Sequence, residues 1–411
     1  MTQEEKVTLK GWVDDIKDFG GVQFITLRDK TKYTQVTVTR ESPVAQAIKG
    51  LTKESVIEVT GKFVANEKAA QGKEIIPDAI TVLARSESQT PIAVAKADVG
   101  LDARLKWRPL ALRSPQSQAI FKIQSTILAS LQETLYHKGF QQIFTPCLLG
   151  VASEGGSEIF SVLYFDQEAY LRQDPQLHRQ LTIASGLTKV FEIGPAFRAE
   201  QSHTSRHLCE HRVCAVEQAF IKDEQDVIRL QEELIIAMIK QVVKDCSSEL
   251  KILGATLEVP TSPFPQFTFE QVQELLEEEG ILLEDDLDTK AEKALYQHVK
   301  KKYGSDFYFV TQFPKKPFYV MQEGSVTRSV DLYFRELELS SGGQREHRHE
   351  ELVESAMSVG DLAWFTEHFK FGVPPHGGFA LGIERLTMIL TDAQSIKECV
   401  LFPRDPERLI P

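Results

Sequence analysis

The sequence predicts a small all-β barrel followed by a larger α+β domain built around an antiparallel sheet. Three observations predict it. The first ~90 of the 411 residues hold five short runs rich in Val, Ile, Thr and Phe, with the partial alternation of half-buried strands. A long stretch of helical periodicity begins at Ser114. Beyond Phe140, strand-like and helical segments alternate irregularly, unlike the regular βαβ order of a parallel sheet. At ~150 residues per domain, this length suits two or three units.

The five runs are Val7–Val13, Phe24–Asp29, Tyr33–Arg40, Ser55–Ala65 and Ile80–Arg85. Between the third and fourth, Ser42 is placed to cap a short helix with Pro43 in its first turn, running to Leu51. Five strands with a helix there suggest a closed barrel of the OB type over residues 1–88, a fold that binds oligonucleotides on one face. An SH3-like or other small β-domain satisfies the periodicity too. Residues 89–113 read as a hinge, polar at first. Residues 114–411 form the large domain. Its first helix starts with a Ser114 cap and Pro115 and stops at Gly139, with Ile120, Ile123, Ile127, Leu128, Leu131 and Leu135 on one face. Glu270–Leu282 and Asp286–Val299 are helical candidates in a solvated excursion, where Glu270–Asp288 carries nine acidic residues and no basic one.

The net charge is −12, yet residues 1–90 contain 13 Lys+Arg and 13 Asp+Glu, so the barrel is neutral and the acid lies beyond it. This excludes nucleic-acid binding by bulk charge and leaves room for a local patch. No run of ~18 apolar residues is present and the N-terminus shows no signal-peptide pattern, so no membrane association and a cytoplasmic location are expected. Five scattered cysteines without a CxxC pair suggest free thiols in a reducing compartment.

Three blocks carry candidate chemistry. Val190–Glu200 reads as a strand ending in Arg198, followed by a polar loop with Arg206 and His207, and then a returning strand. Guanidinium groups there suit polyphosphate, to which they make forked, permanently charged contacts; a solvated basic hairpin is the plainer reading. Gly377–Leu386 is a glycine-flanked strand turning into a helix with Arg385 in its first turn, a second anion site or simply a packed junction. Between them, Ser329–His347 shifts its apolar phase near Arg335-Glu336, which calls for a bulge or turn. Asp331, Glu338 and Ser341 in this block are oxygen ligands of the kind magnesium takes beside phosphates, or else a solvated edge.

In order and spacing, these blocks resemble the three signature motifs of class II aminoacyl-tRNA synthetases, closest to the aspartyl-tRNA synthetases of archaeal and eukaryotic type and their asparaginyl relatives. The first motif is similar to the long helix with Gly139-Phe140-Gln141-Gln142-Ile143-Phe144-Thr145-Pro146, the second to Phe197-Arg198-Ala199-Glu200 and its loop, and the third to Gly382–Leu386. Supporting blocks are Ser153–Glu158, Lys316-Pro317-Phe318-Tyr319 and Leu401–Asp405. The resemblance covers essentially the whole chain. It implies an anticodon-binding OB barrel joined to a catalytic α+β domain on a six-stranded antiparallel sheet with flanking helices, and a homodimer with Pro146 at its interface. It also implies a ligase that condenses aspartate with ATP and passes the acyl group to tRNA(Asp).

The resemblance assigns Arg198 to the α-phosphate, Arg206, His207 and Arg385 to the polyphosphate, and Glu200 and His211 to adenine. Arg198, Arg385 and Glu338 would be catalytic, and Glu338, Ser341 and Asp331 would hold Mg2+. Glu154, Asp174, Gln176, Arg179, Glu217, Lys316, Ser341 and Arg345 would bind the amino acid, with Lys316 and Arg345 on its side-chain carboxylate. Phe24, Arg28 and Gln35 would meet the anticodon, Phe24 by stacking and Arg28 near the backbone.

The departures cluster in the amino-acid pocket. The family's Ser-Pro-Gln-Leu-x-Lys is Asp174-Pro175-Gln176-Leu177-His178-Arg179, and its Ser-x-Asp-x-Glu is Val213-Cys214-Ala215-Val216-Glu217. The aspartate that binds the substrate ammonium is therefore Ala215, and Asp174 is placed to compensate. Because Lys316, Arg345, Gln176 and Glu217 remain, aspartate is the expected substrate; another aspartate-like amino acid (or asparagine) and a non-catalytic RNA-binding paralogue are the alternatives. In the barrel, Asp14 and Ala79 replace the Trp and Lys of discriminating members, so tRNA(Asn) is expected to be accepted beside tRNA(Asp).

Overall fold

The computed structural model describes residues 6–29, 32–69, 71–94, 99–151, 158–201, 204–357 and 362–410. Contacts divide the chain into two compact units, Met1–Ala119 with Pro411 and Ile120–Ile410.

In the first unit, β1 (Lys6–Asp18), β2 (Val22–Asp29), β3 (Lys32–Thr39), β4 (Val56–Ala65) and β5 (Lys73–Ala84) close into a barrel of order β1-β2-β3-β5-β4. The first half of β1 pairs with β4 and its second half with β2, so a single bent strand closes the barrel. The register slips between Val13 and Asp15, leaving Asp14 as the extra residue of a bulge. Val13, Ile25, Leu27, Val36, Ile57, Val59 and Ile75 fill the interior.

One sequence expectation fails here. Residues 42–51 do not form the capped helix; their backbone bonds close over three residues, Ser42 to Ala45, Val44 to Ala47 and Ile48 to Leu51. Only Val44 and Ile48 of this segment are buried in the core, too little apolar surface to repay the nucleation of a helix.

The second unit is organised by α1 (Pro115–His137), which belongs to it from Ile120 onward. Ser114 Oγ accepts the Ser117 amide at 3.2 Å, Ile123, Ile127, Leu131 and Leu135 are fully buried, and Gly139 ends the run at φ +81°. Beyond it come β6 (Gln141–Gln142), α2 (Gln176–Ala184), β7 (Lys189–Phe197), β8 (Glu210–Ala219), α3 (Glu224–Asp245), β9 (Gln266–Thr268), α4 (Phe269–Glu277) and α5 (Thr289–Tyr303). The last elements are β10 (Phe307–Thr311), β11 (Ser329–Phe334), β12 (Leu337–Gln344), β13 (His376–Gly382) and α6 (Ile383–Leu390). The sheet order is β9-β10-β11-β12-β13-β8-β7-β6. Its central six strands are antiparallel, as expected; β9 and β6 add short parallel pairings at the two edges.

One face of the sheet packs on α1 and α3 through Phe191, Cys214, Val216, Leu332, Phe379 and Leu381. The acidic excursion is less solvated than its composition suggested. Val272, Leu276, Leu295 and Val299 of α4 and α5 build a second core with Tyr308, Val310 and Tyr333. The helix starts shift with their caps: Thr268, in a capping box with Gln271, starts α4 one residue before the expected Glu270, and the Asp288 cap starts α5 three residues after the expected Asp286. All five cysteines are free thiols.

Candidate active site

Strand alternation decides where the cavity lies. On β8, Cys214 and Val216 enter the helix-covered core, so His211, Val213, Ala215 and Glu217 take the opposite face. On β13, Phe379 and Leu381 point inward and leave Gly378, Ala380 and Gly382 outward. A cavity of about 660 Å³ occupies that face. Its floor is made of small residues, which leaves room above the sheet. Gly378 cannot be larger: a Cβ there would meet Val216 O at 1.9 Å and Glu217 Oε2 at 2.7 Å.

Glu338 and Ser341 are three residues apart and would normally face opposite sides of a strand. In the pairing of β11 with β12, Leu332 faces Ser340 and Tyr333 faces Glu338, which leaves Leu339 as an extra residue. This bulge brings Glu338, Ser341 and, across the ladder, Asp331 to one face. The phase shift in the sequence thus resolves into that bulge plus a turn in which Arg335 adopts φ +54°.

One end of the cavity is cationic. Arg198, Arg206 and His207, from the loop after β7, line it with Arg385 from the first turn of α6. Each is docked on an oxygen: Arg198 Nη1 lies 3.5 Å from Glu200 Oε1, and His207 Nε2 lies 3.6 Å from Glu200 Oε2. Arg385 donates to Glu338 O at 3.2 Å, and Arg206 donates to Glu292 Oε2 at 3.4 Å. Burial, aided by Arg198 and Arg385, pushes the His211 imidazole down to about 4, so the ring at the cavity wall is neutral. Burial and the nearby Glu338 push Glu292 up to about 7.

The other end is a sealed polar network. Arg345, 3% exposed, donates from Nε to Glu217 Oε1 at 3.0 Å and from Nη2 to Gln176 Oε1 at 3.1 Å. Gln176 Nε2 donates to Glu217 Oε2 at 3.0 Å, and Arg179 Nη2 donates to Gln176 Oε1 at 2.6 Å. Asp174 lies on the cavity wall, 2.7 Å from Arg179 Nη2. Arg179 is wholly buried, and its Nε and Nη1 have no partner among the described residues. His376, also buried, donates from Nδ1 to Pro374 O, and its Nε2 accepts from Gln180 Nε2 at 2.9 Å. Burial holds it down to about 4.

Lys316 lines the cavity, but its ammonium rests 2.6 Å from Asp331 Oδ2 and 4.0 Å from the Phe313 ring centre. The expected substrate cation and the expected metal ligand are therefore paired with each other. Burial opposes the charge on Lys316, and Asp331 with Glu338 more than offsets it, so its pKa is raised.

The family model for tRNA synthetases class II (D, K and N) matches residues 100–406, and that for the OB-fold nucleic acid binding domain matches 7–83. The chain belongs to the class II tRNA synthetases. It is 42% identical to the aspartate–tRNA(Asp/Asn) ligase of Methanopyrus kandleri over 99% of this chain and 96% of that one. It is 41% identical to the aspartate–tRNA(Asp) ligase of Pyrococcus abyssi, with the same coverage. Among solved structures, the asparaginyl-tRNA synthetase of Pyrococcus horikoshii complexed with asparaginyl-adenylate superposes with a TM-score of 0.92 at 30% identity, over 99% of this chain and 96% of that one. The aspartyl-tRNA synthetase of Entamoeba histolytica gives 0.89 at 30% identity, over 99% and 90%.

The synthetase cavity thus gathers most residues singled out from the sequence: Asp174, Gln176, Arg198, Glu200, Arg206, His207, His211, Lys316, Glu338, Ser341, Arg345 and Arg385. Arg179, Glu217 and Asp331 stand behind it as supports, and Glu154 lies outside the described residues. In the barrel, Phe24 meets the 69% exposed Phe19 edge-on at 5.8 Å, and Gln35 Nε2 donates to Glu74 Oε2 at 2.7 Å.

Arg28 departs from the expectation of a backbone contact. It is 1% exposed, 2.5 Å from Asp14 Oδ1 and 2.8 Å from both oxygens of Glu54, so its guanidinium is consumed inside the barrel. The bulge at Asp14 supplies that partner. Sequence reading missed Glu292 and His376. An acid in a helix's first turn and a histidine before two glycines are ordinary patterns; only the fold brings one to Arg206 and the other to Gln180.

Proposed function

We propose that this synthetase is an aspartate–tRNA ligase that activates aspartate with ATP to aspartyl-adenylate and then aminoacylates tRNA(Asp) and tRNA(Asn). The observation that carries this reading is Arg345. Glu217 and Gln176 hold its Nε and Nη2 from behind, which fixes the guanidinium at the cavity wall and leaves Nη1 to meet a substrate carboxylate. A neutral amide there would lack the charge-assisted bond that a carboxylate makes to this guanidinium.

In this reading Arg198 steadies the α-phosphate as the substrate carboxylate attacks it and pyrophosphate departs, while Arg206 and Arg385 hold the leaving oxygens. Glu200 reads the adenine edge, against which the neutral His211 stacks. No side chain acts as a nucleophile: fixed charge and alignment carry the rate. The ribose hydroxyl of the tRNA end then attacks the acyl carbon and AMP leaves.

The donor set suits Mg2+. Glu338 and Ser341 present oxygens at the cavity, as magnesium takes beside phosphates, and the buried Asp331 Oδ1 has no hydrogen-bond partner among the described residues. When bound, the ion would neutralise charge on the phosphates. Glu338 and Ser341 would hold it, with Lys316 keeping the Asp331 carboxylate compensated. Support for a homodimer comes from Phe144, 81% exposed two residues before Pro146. Relaxed tRNA choice is supported by Asp14, which stands where discriminating members carry Trp and is already committed to Arg28. Among the described residues no helix is long and apolar enough to cross a membrane, in keeping with a cytoplasmic enzyme.

Ala215 on the cavity-side face of β8, where the family has an aspartate, favours a second reading with another acidic amino acid as substrate. Pyrophosphate exchange with a panel of amino acids separates the two: exchange with aspartate supports the first, exchange only with another acid supports the second, and none refutes both. Charging of tRNA(Asp) with no charging of tRNA(Asn) would sink the relaxed specificity.

A further inference from the structure

Glu292 is an acid in the wrong surroundings. It sits in the first turn of α5, its amide bonded to Asp288 O at 2.9 Å, and is 9% exposed behind Arg206, which lines the cavity together with Arg385. A carboxylate just behind a polyanion site works against the anion unless it holds a metal ion, and burial penalises its own charge. Glu292 nonetheless faces Arg206 and Arg385, with the carboxylate of Glu338 on β12 as its acidic neighbour and the Tyr308 ring of β10 behind.

What the carboxylate does is visible in its contact. Arg206 rides on the loop between β7 and β8, and its Nη1 donates to Glu292 Oε2 at 3.4 Å and to Glu336 O at 3.5 Å. At 3.4 and 3.5 Å both contacts are longer than the usual N–H···O range of about 2.7–3.2 Å, so they set the direction of the guanidinium weakly and without saturating it. A long arginine on a loop loses rotamer freedom whenever it meets a ligand; one already aimed loses less.

We propose that Glu292 is a positioning residue: it aims Arg206 at the cavity before the nucleotide arrives, and so sets the affinity for the polyphosphate of ATP through Arg206. This rests on the assignment of the cavity to ATP, and not on which amino acid is activated.

The test is direct ATP binding by calorimetry on the full chain, for wild type, Glu292→Gln, Arg206→Ala and the double variant. Glu292→Gln is expected to raise the Kd for ATP about fivefold, the size of ordering one long side chain. In the Arg206→Ala background it should add less than about twofold, because a residue acting through another is not additive with it. In aspartate-dependent exchange the change should fall on the KM for ATP and not on that for aspartate. Glu292→Asp should recover part of the affinity, and it carries the same cycle if Glu292→Gln does not fold. Full additivity with Arg206→Ala, or an unchanged Kd, overturns the proposal. A wild-type protein that binds ATP but shows no exchange with aspartate refutes the aspartate reading and leaves this one standing; no ATP binding at all refutes both.

Discussion

Arg345 and Glu217 are a buried ion pair whose members also share Gln176, and the energetics of such pairs are lopsided. Removing one partner strands the other charge out of water, at a cost of about 3–5 kcal/mol. Arg345→Gln should therefore lower the unfolding free energy in urea by about 3 kcal/mol. It should also raise the KM for aspartate by at least about 100-fold, because ground-state recognition of the carboxylate disappears with the guanidinium. His376 makes a different prediction. Its folded pKa lies near 4 against an ordinary 6.5, so the unfolded chain binds the extra proton in that interval. Its contribution is complete above pH 6.5 and is lost as pH falls toward 4, by at most about 3 kcal/mol. Denaturation at a series of pH values should show this slope, and His376→Gln should flatten it. At this scale the sequence spoke clearly where a residue's neighbours were unusual, as for Arg385 beside its glycines. It was silent on Glu292, whose partner is 86 positions away.

Two elements begin with the same dipeptide and end differently. Ser42-Pro43 and Ser114-Pro115 are the same helix-start signal, yet one leads into a chain of turns and the other into 23 helical residues. The difference lies downstream. After Ser114, buried positions recur at 119, 120, 123, 127, 131 and 135, enough apolar surface to repay nucleation many times over. After Ser42 the core takes Val44 and Ile48, and Gly50 follows at φ +67°. A start signal is legible in sequence; whether the helix propagates depends on what it packs against. Ser114→Ala should cost about 1 kcal/mol of unfolding free energy by losing the cap on the Ser117 amide. A cost near zero would show the start of α1 to be held by packing alone.

For the molecule as a whole, the sequence yielded the fold classes, an OB barrel and an α+β domain on a large sheet, because composition and periodicity change along the chain. It could not yield the sheet order β9-β10-β11-β12-β13-β8-β7-β6, in which β13 joins β12 to β8, a strand about 160 residues earlier. Such pairings are decided by which faces bury together, a long-range matter. Charge was legible as a sum and misleading as a picture. The span Glu270–Asp288 holds nine acidic residues and no basic one, yet α4, which lies within it from Glu270 onward, shares a packed core with the lysine-rich α5.

The enclosure of Arg28 by Asp14 and Glu54 bears on how the barrel would hold RNA. Every Lys or Arg that docks on a phosphate frees condensed counterions, and the number freed is read as the slope of log K against log salt. A barrel that keeps one arginine between two carboxylates has one fewer cation to exchange. Stacking on Phe24 and Phe19 and a contact from Gln35 would add grip that releases no ions. Titration of tRNA into the whole enzyme at several potassium concentrations should give a slope no steeper than about −3, and a slope beyond about −6 would place many phosphates on its cations after all. Asp14→Ala, by loosening Arg28, should steepen it.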